Sequence, residues 1–65
     1  MLTEERYSII LNYLAEKKVA TIAELTALLD SSDSTVRRDL HALNRMGKLC
    51  KVHGGATAVE NNYLS

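Results

Sequence analysis

The chain has no proline and no tryptophan, a single cysteine and only three glycines. Without proline, no helix is interrupted by a missing backbone N–H. The lone cysteine, Cys50, cannot close an internal disulfide, so a reducing cytoplasm fits the composition. No apolar run approaches the roughly 20 residues needed to span a bilayer. The start Met1-Leu2-Thr3-Glu4-Glu5 lacks the cationic stretch of a secretory signal. Internal repeats and low-complexity tracts are missing too. Net charge is absent as well, because 8 Lys and Arg offset 8 Asp and Glu, and that alone argues mildly against a nucleic-acid partner. What is present suffices for one small domain with one modest core. Of the 65 residues 46% are hydrophobic and 25% charged, a balance that folds rather than stays disordered.

The charge is zero in sum but not in distribution. Residues 1–33 hold Arg6, Lys17 and Lys18 against Glu4, Glu5, Glu16, Glu24, Asp30 and Asp33, a net of −3. Residues 34–65 hold Arg37, Arg38, Arg45, Lys48 and Lys51 against Asp39 and Glu60, a net of +3. A phosphate backbone responds to the local patch and not to the total.

The most informative stretch is Ser32-Asp33-Ser34-Thr35-Val36-Arg37-Arg38-Asp39-Leu40. Wound at about 100° per residue, Val36, Leu40 and Leu43 fall on one line, the spacing of a buried face. Ser34, Arg38, His41 and Arg45 fall opposite, with Arg37 at the edge of that group. An oily back and a cationic, hydrogen-bonding front suit a helix lying in a DNA major groove. A solvated helix with surface arginines is the bland alternative, and paired arginines alone would favour it; the surrounding pattern decides against it.

Tyr7, Ile10, Leu11 and Leu14 recur at helical spacing and mark a first helix to about Lys17, with Thr3 as the expected N-cap. Val19-Ala20 reads as an extended link or one small strand. Thr21-Ile22-Ala23-Glu24 has the form of a capping box. The second helix then runs to Leu29, with Ile22, Leu25 and either Leu28 or Leu29 facing inward, and Asp30-Ser31 make a turn. Ser32 caps the third helix, which ends near Met46 with Gly47 where a left-handed residue is wanted. Lys48 to Val52 reads as a strand, His53-Gly54-Gly55 as a turn and Ala56 to Val59 as a returning strand. The hairpin must dock on the helices to be stable; Leu49 and Val52 are the candidates, although alternation puts them on opposite faces. The expected fold class is mostly α with a small β-hairpin: a three-helix winged helix-turn-helix over residues 1–59. Residues 60–65, polar and without periodicity, read as a fraying start of a linker.

Arg6, Ile10, Leu14, Ser32, Thr35, Val36, Arg37, Arg38, Asp39 and Leu40, followed by Gly47-Lys48-Leu49 and His53-Gly54-Gly55-Ala56, carry a resemblance. Across about residues 4–58 the chain resembles the N-terminal DNA-binding domain of the DeoR-type family of bacterial transcriptional repressors. Lys51 stands where that pattern usually has arginine, which keeps the charge and loses the planar fork. The resemblance implies a winged helix-turn-helix that binds double-stranded operator DNA and represses sugar or nucleoside catabolism genes. It also implies a larger C-terminal domain, beyond these residues, that binds a phosphorylated sugar and assembles homo-oligomers. The chain then reads as a cytoplasmic reading head, expected to be a monomer by itself. The expected DNA contacts are Ser32, Ser34, Thr35, Arg37, Arg38, His41 and Arg45 on the third helix and Lys48, Lys51 and His53 on the wing. Arginine at a reading position prefers guanine; the wing cations suit phosphate or the minor groove.

Other chemistries are weaker. Cys50 and His53 have a CxxH spacing with His41 as a third candidate, but structural zinc wants four ligands. Cys50 is better read as a small apolar filler, and no metal or other cofactor is expected. Ser34, His41 and Asp39 do not make a catalytic set, since the helix separates Asp39 from His41 and a chain this short has little room for a pocket. No enzyme is expected. The rival from another class is a winged-helix protein-interaction module using Ile9 and Tyr13, which lie off the main stripe of the first helix. Asp39 and Arg6 each border an apolar stripe, which predicts that they pair across the helix interface.

Overall fold

The computed structural model describes residues 1–59, and the expected linker at residues 60–65 lies outside them. The elements run α1 Thr3–Lys17, β1 Val19–Thr21, α2 Ile22–Leu29, α3 Asp33–Arg45, β2 Leu49–Val52 and β3 Gly55–Ala58. Three helices cover one face of a three-stranded antiparallel sheet of order β1-β3-β2. This is the mostly helical, winged helix-turn-helix architecture expected from the sequence.

Local chemistry sets most of the boundaries. Thr3 is the first residue inside α1 and not its cap; that position falls to Leu2. The Leu2 N–H donates to the Glu5 carboxylate at 3.0 Å, while the Thr3 hydroxyl instead accepts from Arg6 at 3.3 Å. Lys18 closes α1 in the left-handed region, φ 75°, donating its N–H to the Leu14 carbonyl at 2.8 Å. The capping box of α2 forms in both directions: Glu24 N–H donates to Thr21 Oγ1 at 3.0 Å, and Thr21 N–H donates to Glu24 Oε1 at 2.9 Å. Of the two leucines left open at its end, Leu29 is buried and Leu28 is exposed.

The sheet departs most from expectation. β1 pairs along its whole length with β3, through Val19↔Thr57, Ala20↔Ala56 and Thr21↔Gly55, so β3 is central and both hairpin strands gain an anchor. Gly55, read as a turn residue, is the first residue of β3 opposite Val52. Val59, read as the end of the returning strand, lies past Ala58. The turn shrinks to His53-Gly54, with Gly54 alone at positive φ, 80°, the pattern of a type II turn. The Gly54 carbonyl accepts from Ile22 N–H at 2.9 Å, so the hairpin tip is tied to the start of α2.

Register then settles which hairpin residues face the helices. Leu49, Lys51, Ala56, Ala58 and Ala20 share the inner face by alternation, and Cys50, Val52, Thr57 and Val19 share the outer one. Leu49 is therefore the docking residue, whereas Val52 is exposed. Cys50 is exposed too, and so is not the core filler its size suggested. The core joins Ile10 and Leu14 of α1, Leu25 and Leu29 of α2, Val36, Leu40 and Leu43 of α3, and Leu49 and Ala56 of the sheet. Each fully buried leucine contributes about 1.5–3 kcal/mol, so this cluster outweighs any surface pair in holding α3 in place.

Candidate nucleic-acid interface

α3 is fixed at both ends by its own sequence. At its start Ser32 Oγ accepts from Thr35 N–H at 3.3 Å and donates to Thr35 Oγ1 at 3.1 Å, so these two hydroxyls are partly engaged with each other. At its end the chain reverses through Gly47, φ 76°. Gly47 N–H donates to Asn44 O and Lys48 N–H to Leu43 O, both at 3.0 Å. This paired closure satisfies carbonyls that the helix leaves free.

Its back is sealed, with Val36, Leu40 and Leu43 all 0% exposed. Beside them Asp39 is 2% exposed and meets Arg6 of α1 in a bidentate pair, Arg6 Nε to Oδ2 at 2.5 Å and Nη2 to Oδ1 at 3.1 Å. The pairing predicted between the two stripes therefore forms. The hydrogen bond that Arg6 donates to the Asp39 carboxylate raises the guanidinium above its ordinary pKa, against a smaller opposing effect of desolvation. Two parallel N–H···O bonds fix direction as well as distance, so the pair sets how α3 is rotated against α1. It also takes the one acid in the middle of α3 away from the solvent side.

The front is open. Ser34, Arg38, His41 and Arg45 are exposed, and among the described residues none of them makes a side-chain hydrogen bond or ion pair. Arg37 lies on the flank with its Nη2 3.8 Å from Asp33 Oδ2, one helical turn earlier. Both side chains are more than half exposed, so the contact is weak. Thr35 is half-buried beside its cap partner and Ser32 is exposed. The fold thus brings Ser34, Arg38, His41 and Arg45 onto one free face, leaves Arg37 at its margin and gives Ser32 and Thr35 a structural share.

Lys48, Lys51 and His53 are all exposed. Lys48 directly follows the Gly47 turn, so it lies at the C-terminal end of α3. Lys51 sits on the inner side of edge strand β2, and its N–H donates to Asn44 Oδ1 on α3 at 3.1 Å. His53 lies at the turn tied to α2. Sequence reasoning passed over Asn44. The only signal for it was position, since winding at about 100° per residue puts it on the flank shared by Asp33 and Arg37.

The alternative chemistries separate in space. Asp39 is buried against Arg6, while Ser34 and His41 face out on the other side of α3. Among the described residues no three His, Cys, Asp or Glu side chains converge as a metal site would need. No helix among them is long and apolar enough to cross a membrane. Ile9 and Tyr13, the surface proposed for a protein partner, are half-buried and pack against the core.

The sequence is also similar to known proteins. The family model of the DeoR-like helix-turn-helix domain matches residues 6–62. The chain is 43% identical over 61 residues to the uncharacterized HTH-type transcriptional regulator FruR of Bacillus subtilis, covering 94% of this chain and 24% of that protein. It is 42% identical over 57 residues to the HTH-type transcriptional regulator GolR of Listeria innocua, covering 88% and 22%. It is 37% identical over 59 residues to the HTH-type transcriptional regulator UlaR of Escherichia coli, covering 91% and 24%. The chain therefore spans about a quarter of the length of these relatives. No solved structure gives a significant match. Matched across nearly its whole length and presenting a free cationic face on its third helix, the chain belongs to the DeoR-like helix-turn-helix family, the DNA-binding domain of transcriptional regulators.

Proposed function

We propose that this domain reads double-stranded operator DNA with α3 in the major groove and β2–β3 against the backbone, as the reading head of a bacterial repressor of sugar or nucleoside catabolism genes. One observation carries the reading. Ser34, Arg38, His41 and Arg45 stand free on one face of a helix whose opposite face is 0% exposed at Val36, Leu40 and Leu43. A helix anchored so firmly presents its donors with little ordering left to do on binding. Arg38, central on that face, takes a base edge, guanine by preference. Lys48, Lys51 and His53 take phosphates, adding affinity without reading sequence. Ser32 and Thr35 add contacts from the α3 N-terminus, where backbone N–H groups favour an anion.

The remaining parts of the reading concern the whole regulator: a cytoplasmic protein that forms homo-oligomers through a C-terminal domain following residues 60–65 and responds there to a phosphorylated sugar. The test of the core reading is selection of bound duplexes from a random pool by two linked copies of the chain, then titration of the enriched duplex. Arg38→Ala should weaken its binding by roughly 1–3 kcal/mol and relax the preference at one position. Unchanged affinity and unchanged preference would remove Arg38 from the interface.

A further inference from the structure

β2 is an edge strand lying beside α3. The N–H of Lys51 points away from β3, where a strand edge normally leaves it to water. It donates instead to Asn44 Oδ1 at 3.1 Å. The main-chain carbonyl of the same Asn44 accepts from Gly47 N–H at 3.0 Å, holding the reversal that leads from α3 into β2. One residue on the last turn of α3 therefore grips the following chain twice, once at the turn and once 7 residues on. Asn44 stands on the flank of α3, between the sealed back and the cationic front, and Lys51 is the wing cation on the helix-facing side of its strand.

We infer that Asn44 is a positioning residue which fixes the wing cation Lys51 relative to the reading face of α3. Base contacts from α3 and phosphate contacts from β2 must be met together on one duplex, and their spacing is held by this side chain. The chain itself also connects α3 to Lys51, through Gly47 and Leu49. Leu49 is buried and fixes the start of β2; Asn44 fixes its middle. The inference rests on the DNA-binding reading above.

Two measurements on the full 65-residue chain test it. The first needs no DNA. Amide hydrogen exchange at Lys51 should be roughly two- to tenfold faster in Asn44→Ala, the effect of losing one solvent-accessible hydrogen bond. Asn44→Asp, which keeps the accepting oxygen, should restore protection, and the Leu40 and Leu43 amides should be unchanged in both, showing that the fold is intact. The second uses the duplex enriched by the wild-type chain. Asn44→Ala should weaken binding by roughly two- to fivefold through lost preorganisation, and that loss should vanish when Lys51→Ala and His53→Ala are already present. Unchanged Lys51 exchange in Asn44→Ala would overturn the inference and leave the DNA-binding reading standing. Losses that simply multiply would overturn it as well, by showing that Asn44 touches DNA itself. Failure of two linked wild-type copies to enrich any duplex would overturn both.

Discussion

Gly55→Ala probes the junction on which the whole wing depends. Gly55 pairs with Thr21 across β1–β3, and a Cβ placed on it would stand 2.1 Å from the Ala20 carbonyl oxygen, 3.0 Å from Thr21 Cα and 3.1 Å from Ala20 C. All three neighbours are backbone, so no rotamer change relieves the clash, and ordinary carbon contacts begin at about 3.5 Å. The strands must part. Overpacking of this kind costs about 1–3 kcal/mol, occasionally more. Parting also strains the Ile22 N–H bond to Gly54 O and the Ala58 N–H bond to Lys18 O, each 2.9 Å. Losing both adds about 0.5–1.5 kcal/mol apiece. The total, about 2–6 kcal/mol, is comparable with the entire stability of a domain this size at about 0.05–0.15 kcal/mol per residue. Thermal unfolding followed by circular dichroism should show a midpoint lower by at least about 8 °C, or no cooperative transition. Gly54→Ala is the control. Its Cβ meets nothing within 4 Å, and its cost comes from φ 80° alone, about 1–2 kcal/mol for a side chain in the left-handed region. The required order is wild type, then Gly54→Ala, then Gly55→Ala well below. A Gly55→Ala midpoint within about 5 °C of wild type would refute the argument, because it would mean that β1 and β3 do not approach as closely as described.

Asp39→Asn should lower the melting temperature and weaken DNA binding together, since it leaves the Arg6 guanidinium without its charged partner; unchanged melting with tighter binding would show that Asp39 merely repels phosphate. The raised pKa of Arg6 keeps its contribution fully present at every pH below the ordinary arginine range and loses it as the pH rises from there through the raised value, so melting from neutral to moderately alkaline pH should show no step from this group. Lys51→Ala should weaken enriched and scrambled duplexes alike and reduce the salt slope by about one unit; a loss confined to one sequence would indicate base readout. The single chain should sediment as a monomer and bind weakly, and joining two copies by a flexible linker should raise affinity for paired half-sites through effective concentration; a stable dimer of the unlinked chain at micromolar concentration would reveal a missed interface.

The sequence by itself determined what depends on neighbours along the chain. The α2 capping box needs only Thr21 and Glu24, three residues apart, and the start and end of α3 need only Ser32, Thr35 and Gly47. The division of α3 into an apolar back and a cationic front follows from helical periodicity, so the candidate reading face is legible in the sequence alone. Periodicity also brought Arg6 and Asp39 to the edges of two stripes, close enough for their pairing to be foreseen. The tertiary structure decided what depends on partners distant in sequence. Val19–Thr21 is too short to declare itself a strand and becomes one only because β3 pairs with it. Gly55 carries the local signature of a turn, and only the close approach of Ala20 shows why a glycine is required there. Alternation along Leu49–Val52 allows either face to be inner; the core contact of Leu49 chooses, turning Cys50 outward and Lys51 toward α3. Asn44 has no sequence signature at all, since its role exists only where the last turn of α3 meets the edge of β2. Local hydrogen bonds and helical periodicity are written in short stretches of sequence, whereas strand pairing and side-chain contacts between elements are fixed only when the core closes and sets the distances between them.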